Sequence, residues 1–143
     1  MYTKINEKDS AMKLGAIYSK EKTTFTLFSP VADSVFVIFY DKGNDSAETG
    51  RLEMVRGEGE LRSIFSATAE GNLDGVYYTY EVHTSDGTFS SHDPYARACG
   101  VNGHRSMVID LSKTDPDGFA DEDRPKLADP MSMVITEVSI VDV

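Results

Sequence analysis

The sequence predicts an all-β fold, and three observations lead to this prediction. Short runs rich in Val, Ile, Phe, Tyr and Thr recur at roughly 8–12-residue intervals, with turn residues between them. No segment longer than a turn or two has the apolar spacing of a helix. With 143 residues, 40% of them hydrophobic and 27% charged, the chain fits one globular domain. The prediction is an immunoglobulin-like β-sandwich of about seven to eight strands.

The β-sandwich is expected to extend from residue 14 to residue 111. The run 76–84 alternates most clearly, and the tripeptide Ser85-Asp86-Gly87 after it is typical of a tight hairpin turn, because glycine tolerates the positive φ of such turns. The stretches 42–50 and 57–60 are expected to be loops, since they combine glycine with short polar side chains. The predicted strands are 15–19, 23–29, 34–40, 52–56, 62–67, 76–84, 88–91 and 106–111.

The alternation within 76–84 predicts which side chains face the core. Side chains on successive strand residues point to opposite faces of a sheet. The core face is expected to carry Val76, Tyr78, Tyr80 and Val82. The opposite, solvated face is expected to carry Tyr77, Thr79, Glu81 and His83.

The two ends of the chain differ in composition from this β-rich part. Residues 1–13 form a polar leader, and residues 112–130 form an acidic, proline-containing linker. The run 133–141, with Met133 and Val141 at its ends, is rich in β-branched residues and reads as one more strand. A single domain seldom ends with a linker and another apolar strand, so we expect that the sequence is a piece of a longer chain.

Charge and cysteine content narrow the classes of partner and compartment. The formal net charge is −10, and an acidic surface without a basic patch argues against nucleic acid and membrane as partners. Cys99 is the single cysteine, so no internal disulfide can form. The N-terminal residues lack the apolar core of a signal peptide, and the expectation is therefore a cytoplasmic protein, with secretion as the alternative if a signal peptide has been removed.

No residue pattern predicts catalysis, a metal or a cofactor. Catalysis by a carboxyl pair requires two such groups held close together in a shielded site, and since nothing in the sequence marks such a pair, acids such as Asp93 and Asp110 are interpreted as solvated. The histidines His83, His92 and His104 lack the spacing of a zinc site. The aspartates of the linker lack the glycine and glutamate positions of a calcium loop.

Several motifs together identify a family resemblance. They are Leu14-Gly15, Phe28-Ser29-Pro30, Gly75-Val76-Tyr77-Tyr78-Thr79-Tyr80-Glu81-Val82, Asp93-Pro94-Tyr95-Ala96, Val101-Asn102-Gly103 and Arg105-Ser106-Met107-Val108-Ile109-Asp110-Leu111. In this order they resemble the family 48 carbohydrate-binding module that precedes the catalytic barrel of type I pullulanases, debranching enzymes of the α-amylase superfamily. The resemblance implies that residues 131–143 begin the first strand of that barrel, although Thr136, Ser139, Val141 and Val143 depart from the family pattern.

The resemblance also implies which residues would contact sugar. The stacking tryptophan of glycogen-binding relatives falls on Phe89, their contacting lysine on Thr79 and their contacting asparagine on Asn102. Tyr77 is predicted on the same face as Thr79 and could extend an aromatic platform. The alternative is that Phe89 caps the hairpin and Tyr77 covers the sheet, and with no tryptophan in the chain we expect weak or absent binding.

The resemblance implies a non-catalytic accessory module of a pullulanase-type debranching enzyme, because the superfamily's catalytic carboxylates belong to later barrel strands. Its partners would be the barrel of its own parent chain and branched α-glucan. The apolar run 133–141 also predicts self-association or docking of the tail, since it offers an unpaired edge. Two alternatives remain: an autonomous glucan-binding module, and an immunoglobulin-like protein-interaction domain.

Overall fold

The computed structural model describes residues 13–123, 126 and 128–139, and it divides the chain into two units, 1–113 and 114–143. No helix among the described residues is long and apolar enough to span a membrane. The described strands, all in the first unit, are β1 (Gly15–Tyr18), β2 (Lys22–Phe28), β3 (Ser34–Tyr40), β4 (Glu48–Glu53), β5 (Val55–Arg56), β6 (Ile64–Glu70), β7 (Tyr77–Thr84), β8 (Gly87–Ser91), β9 (Ala98–Cys99) and β10 (Ser106–Met107).

The strands form two antiparallel sheets. One has the order β1-β2-β6-β5, and the other has the order β4-β3-β7-β10-β9, with β8 also paired to β7. The chain changes sheets at Met54, between β4 and β5, where the Met54 N–H donates to the Val35 carbonyl at 2.9 Å. Such a sheet-switching strand joins the edges of the two layers.

The core lies between the inner faces of these sheets. Phe25 packs edge-to-face on Phe39 and Tyr78, with ring centroids 5.7 and 5.0 Å apart. Such pairs add about 0.5–1.5 kcal/mol beyond the burial of their area. The buried cluster consists of Phe25, Leu27, Ala32, Val35, Val37, Met54, Phe65, Tyr78, Tyr80 and Val108.

This architecture confirms the predicted all-β sandwich, and it differs from the prediction at particular elements. β4 begins at Glu48, inside the predicted loop 42–50, because residues 48–53 pair along β3. The short strand β9 lies where no strand was predicted, and it forms by pairing with β10. After Met107 the predicted strand ends early, and a 3-10 turn spans Leu111–Lys113.

The predicted faces of β7 are largely confirmed. Tyr78 and Tyr80 are buried in the core, and the half-buried Val82 packs against it. Val76 precedes the strand and is half-buried rather than part of the core cluster. The prediction of a solvated Thr79 is wrong, as the geometry of the site below explains.

The second unit contains 3-10 turns at Phe119–Asp121 and Pro130–Ser132. Residues 133–139 carry no strand, which differs from the strand predicted for 133–141; residues 140 and 141 lie outside the described part. A strand requires a hydrogen-bonded neighbour, and β-branched composition alone does not supply one. The predicted leader also lies outside the described residues, apart from Lys13.

Candidate functional site

A concavity lies where β7 changes its partner. Along one edge β7 pairs with β3 over its whole length, whereas along the other edge it pairs with β8 from Tyr80 onward and with β10 at Tyr77 and Tyr78. Thr79 lies at the break between these two partners. The concavity has a volume of about 390 Å³ and is lined by Thr79, Ser90, Ser91, His92, Asn102, Gly103 and His104. We call it the Thr79 concavity.

The predicted sugar-contacting residues Thr79 and Asn102 therefore line one site. Asn102 lies in a 3-10 turn, Val101–Gly103, and adopts the left-handed conformation with φ of 53°. Asparagine tolerates this conformation better than most residues because its side chain can hydrogen-bond locally. The lining groups are hydroxyl, amide and imidazole, which can donate and accept hydrogen bonds to a neutral polar ligand.

Thr79 contributes less open surface than predicted. Its side chain is only 5% exposed, and its Oγ1 lies 3.3 Å from the hydroxyl of Tyr40, which is on the adjacent strand β3. The Tyr40 side chain covers this part of the sheet, so that Thr79 is buried although it lies on the face away from the core.

The prediction of a platform formed by Phe89 and Tyr77 is wrong. Phe89 pairs with Val82, and directly paired residues of antiparallel strands point to the same face. Tyr77 differs from Val82 by an odd number of positions and lies on the opposite face with Thr79. Phe89 is 54% exposed, but it stands at the edge of the sheet on the core side, away from the Thr79 concavity.

Tyr77 is half-buried beneath a loop. A β-carbon at Gly43 would lie 3.2 Å from the Tyr77 ring and 2.9 Å from the Cα of Gly100. The loop that follows β3 thus passes closely over both Tyr77 and the loop that follows β9, and only glycine permits this approach. Tyr77 covers the sheet, which was the alternative to a sugar platform.

Arg105 holds the same two loops together. Its guanidinium carbon lies 3.6 Å from the centroid of the Tyr40 ring. Its N–H groups donate to the Lys42 carbonyl at 2.8 Å and to the Ser46 hydroxyl and carbonyl at 2.8 and 2.9 Å. The cation and the loop occupy the surface of Tyr40, and this ring is also covered.

The other end of this outer face carries an ionic cluster. Arg51 donates to Glu48 at 2.8 Å and to Glu81 at 3.4 Å, and Glu81 lies 2.9 Å from His83 Nε2. The hydrogen bond from Arg51 lowers the pKa of Glu48, and the bond to Glu48 raises the pKa of Arg51. His83 also packs edge-to-face on Phe36. These groups pair with one another rather than project as a binding platform.

Asp93, interpreted from sequence as solvated, is a buried hydrogen-bonding centre. Its Oδ2 accepts from the hydroxyls of Tyr78 and Tyr80 at 2.7 and 3.2 Å, and its Oδ1 accepts from the Tyr95 N–H at 2.8 Å. The backbone N–H of Asp93 donates to Ser106 Oγ at 2.8 Å. Burial, followed by the charge of Asp93, raises the pKa of both tyrosines. The carboxylate is enclosed by structural bonds and cannot reach a substrate.

Asp110 is also buried, so its solvated interpretation is wrong as well. Its Oδ1 accepts from the Ser112 hydroxyl at 2.6 Å and from the Ser112 N–H at 3.1 Å, and the hydroxyl bond is the main cause of its lowered pKa. A glycosidase acid requires the opposite shift, because it must be protonated near neutral pH. Among the described residues, no group of three or more His, Cys, Asp or Glu could hold a metal ion.

The sandwich and the partly open, hydroxyl-lined site define a small β-module without a catalytic centre in its described residues. Residues 13–96 match the family Carbohydrate-binding module 48 (Isoamylase N-terminal domain). This chain belongs to that family and is a non-catalytic module. The immunoglobulin-like module inferred from sequence motifs is therefore confirmed.

Pullulanases are among the relatives of the chain. It is 31% identical over 116 residues to pullulanase A of Streptococcus pneumoniae serotype 4, covering 76% of this chain and 9% of that protein. The structure of pullulanase from Paenibacillus barengoltzii in complex with maltohexaose and alpha-cyclodextrin matches with a TM-score of 0.79 and 34% identity, over 89% of this chain and 19% of that one. Pullulanase from Bacillus acidopullulyticus matches with a TM-score of 0.75 and 35% identity, over 82% and 14%. The chain thus spans less than a fifth of these relatives.

Proposed function

We propose that the chain is the accessory module of a pullulanase-type debranching enzyme and that it contacts α-glucan weakly through the Thr79 concavity. The observation that carries this proposal is the lining of the concavity, which apart from Gly103 consists of polar side chains, including Thr79 and Asn102, with no Phe, Tyr or Trp. Hydrogen bonds formed in competition with water contribute modestly, whereas stacking on an exposed aromatic ring adds apolar contact. Hydrogen bonding alone therefore supports a dissociation constant on the order of 1 mM.

The placement of the aromatic rings near the concavity supports weak binding. Tyr77 and Tyr40 are covered by the loop after β3 and by Arg105, and Phe89 lies on the other face. An autonomous glucan-binding module would need one of these rings beside the polar groups. The arrangement instead favours a module whose main role is to pack against the catalytic domain of its parent enzyme.

Calorimetric titration with a branched maltooligosaccharide tests the sugar contact. Asn102→Gly is the informative variant, because glycine adopts the same positive φ while the amide is lost. Phe89→Ala is the control, since this exposed ring lies outside the concavity. We expect weak saturable heat that disappears in Asn102→Gly and persists in Phe89→Ala. Loss of heat in Phe89→Ala alone would contradict the assignment and favour a stacking site at the hairpin.

We also propose that the run 133–141 is a contact segment, either toward the barrel or between copies of this chain. Its described side chains include Val134 and Ile135, which are exposed. Sedimentation velocity at increasing concentration should show dimers in the isolated chain. A monomer at all concentrations, with a protease-sensitive C-terminal segment, would count against self-association.

A further inference from the structure

A second cleft lies in the first unit, between β1 and the segment 95–97. Residues 107–112 contribute to its lining, and its volume is about 320 Å³, at the small end of the range of roughly 300–1,000 Å³ for small-molecule sites. Ile17 and Tyr18 of β1 also line it, as do Tyr95 and Arg97. It shares no lining residue with the Thr79 concavity.

The cleft has the exposed aromatic ring that the Thr79 concavity lacks. Tyr95 is 47% exposed. Two contacts fix its backbone. Its N–H donates to the buried Asp93 at 2.8 Å, and its β-carbon packs closely against Gly15. A β-carbon at Gly15 would lie 2.9 Å from that of Tyr95. An aromatic ring on a fixed backbone loses little conformational entropy when a ligand stacks on it.

Hydrogen-bond donors and acceptors line the same cleft as this ring. The Asp110 carboxylate is held by the hydroxyl and N–H of Ser112, and the bond from that hydroxyl lowers its pKa, so that it is an ionised acceptor at neutral pH. Arg97 and Lys13 are exposed and supply donors. A carboxylate acceptor disfavours an anionic ligand, whereas acceptor and donors together suit the neighbouring hydroxyls of a neutral sugar.

We propose that this cleft is a second α-glucan subsite, in which a glucose ring stacks on Tyr95 and its hydroxyl groups bond to Asp110 and Arg97. That the ligand is an α-glucan rests on the proposed function, whereas the location of the subsite rests on the geometry of the cleft. Tyr18 also lines the cleft, and its hydroxyl already donates to Asn72 Oδ1 at 2.9 Å. The subsite takes a chain end or a short branch, because the cleft is small.

The test is a titration of the full chain with maltotriose and with a branched maltooligosaccharide, followed by amide chemical shifts. Amide shifts of residues 95–97 and 107–112 report binding at the cleft. Amide shifts of residues 90–92 and 102–104 report binding at the Thr79 concavity. Tyr95→Ala should weaken binding at the cleft at least about fivefold, as loss of a stacking partner implies. Shifts at the concavity should be unchanged in this variant. Arg97→Gln, an exposed substitution, repeats the test without disturbing the Tyr95 backbone, and Phe89→Ala is the control.

Each outcome separates the two claims. Saturable shifts at the cleft that weaken in Tyr95→Ala or Arg97→Gln support the second subsite, even if the concavity is silent and the proposed contact there fails. Shifts confined to the concavity overturn the second subsite and leave the proposed function standing. Silence at both places, with sugar on the order of 10 mM, overturns both proposals. Cleft shifts that neither variant affects overturn the stacking arrangement.

Discussion

Asp93→Ala is expected to destabilise the sandwich strongly, although the residue touches no ligand. The substitution removes the acceptor of two tyrosine hydroxyls, and both Tyr78 and Tyr80 are at most 1% exposed. A buried donor without a partner costs about 1–3 kcal/mol, and part of the total is offset because a carboxylate no longer has to be desolvated. The net loss should be about 2–4 kcal/mol, a large fraction of the stability of a typical domain.

Urea denaturation followed by tyrosine fluorescence measures this loss, since the chain has seven tyrosines and no tryptophan. The triple variant Asp93→Ala, Tyr78→Phe, Tyr80→Phe should recover part of the stability, because the orphaned hydroxyls are then absent. Asp86→Ala, in the exposed hairpin turn, is the control. A loss below about 1 kcal/mol in Asp93→Ala, or no recovery in the triple variant, would refute the reasoning.

Three further outcomes are expected. Gly100→Ala should lower the free energy of unfolding by about 1–3 kcal/mol, because its β-carbon would lie 2.5 Å from the Cα of Gly43. Thr23→Val should raise it by up to about 1 kcal/mol, since Thr23 Oγ1 is the one buried side-chain polar atom without a hydrogen-bond partner among the described residues. Burial raises the pKa of Tyr78 and Tyr80 in the folded state, so the urea midpoint should fall as pH rises past about 10, where the unfolded chain releases these protons and the folded chain retains them.

Matched variants provide the controls for these predictions. Gly50→Ala should be tolerated, because the nearest atom to its β-carbon is a Phe39 ring carbon at 4.0 Å. Thr24→Val should gain nothing, since its hydroxyl already bonds to Thr68 at 3.1 Å. Equal effects in the two glycine variants, or in the two threonine variants, would contradict the structural explanation. Ionisation of all seven tyrosines near pH 10 in a chain that stays folded would contradict the third prediction.

Local pattern was sufficient for most strands of the sandwich and for the core positions Tyr78 and Tyr80 of β7. Alternation is a property of the strand itself, so Tyr78 and Tyr80 could be placed in the core without knowledge of their neighbours. The face of Phe89, in contrast, depended on the register of the hairpin. The predicted turn included Gly87, whereas in the structure Gly87 pairs with Thr84, and this register puts Phe89 opposite Val82.

Other features of the site depend on residues far apart in the chain. Thr79 is buried because Tyr40, thirty-nine positions away, lies beside it. Asp93 is buried because the hydroxyls of two tyrosines of β7, thirteen and fifteen positions away, converge on it. The signal that could have found it is the motif Asp93-Pro94-Tyr95-Ala96 together with two inward-facing tyrosines that need an acceptor.

The sequence by itself determined that this chain is an all-β module of the carbohydrate-binding module 48 family, because strand alternation, turn chemistry and family motifs are all local signals. Only the tertiary structure decided which aromatic rings are open to a ligand. Tyr77 and Tyr40 are covered by a loop and by Arg105, whereas Tyr95 remains exposed over a cleft. The physical reason is that exposure depends on what the rest of the chain places above a side chain, and the periodicity of its own strand specifies only a direction.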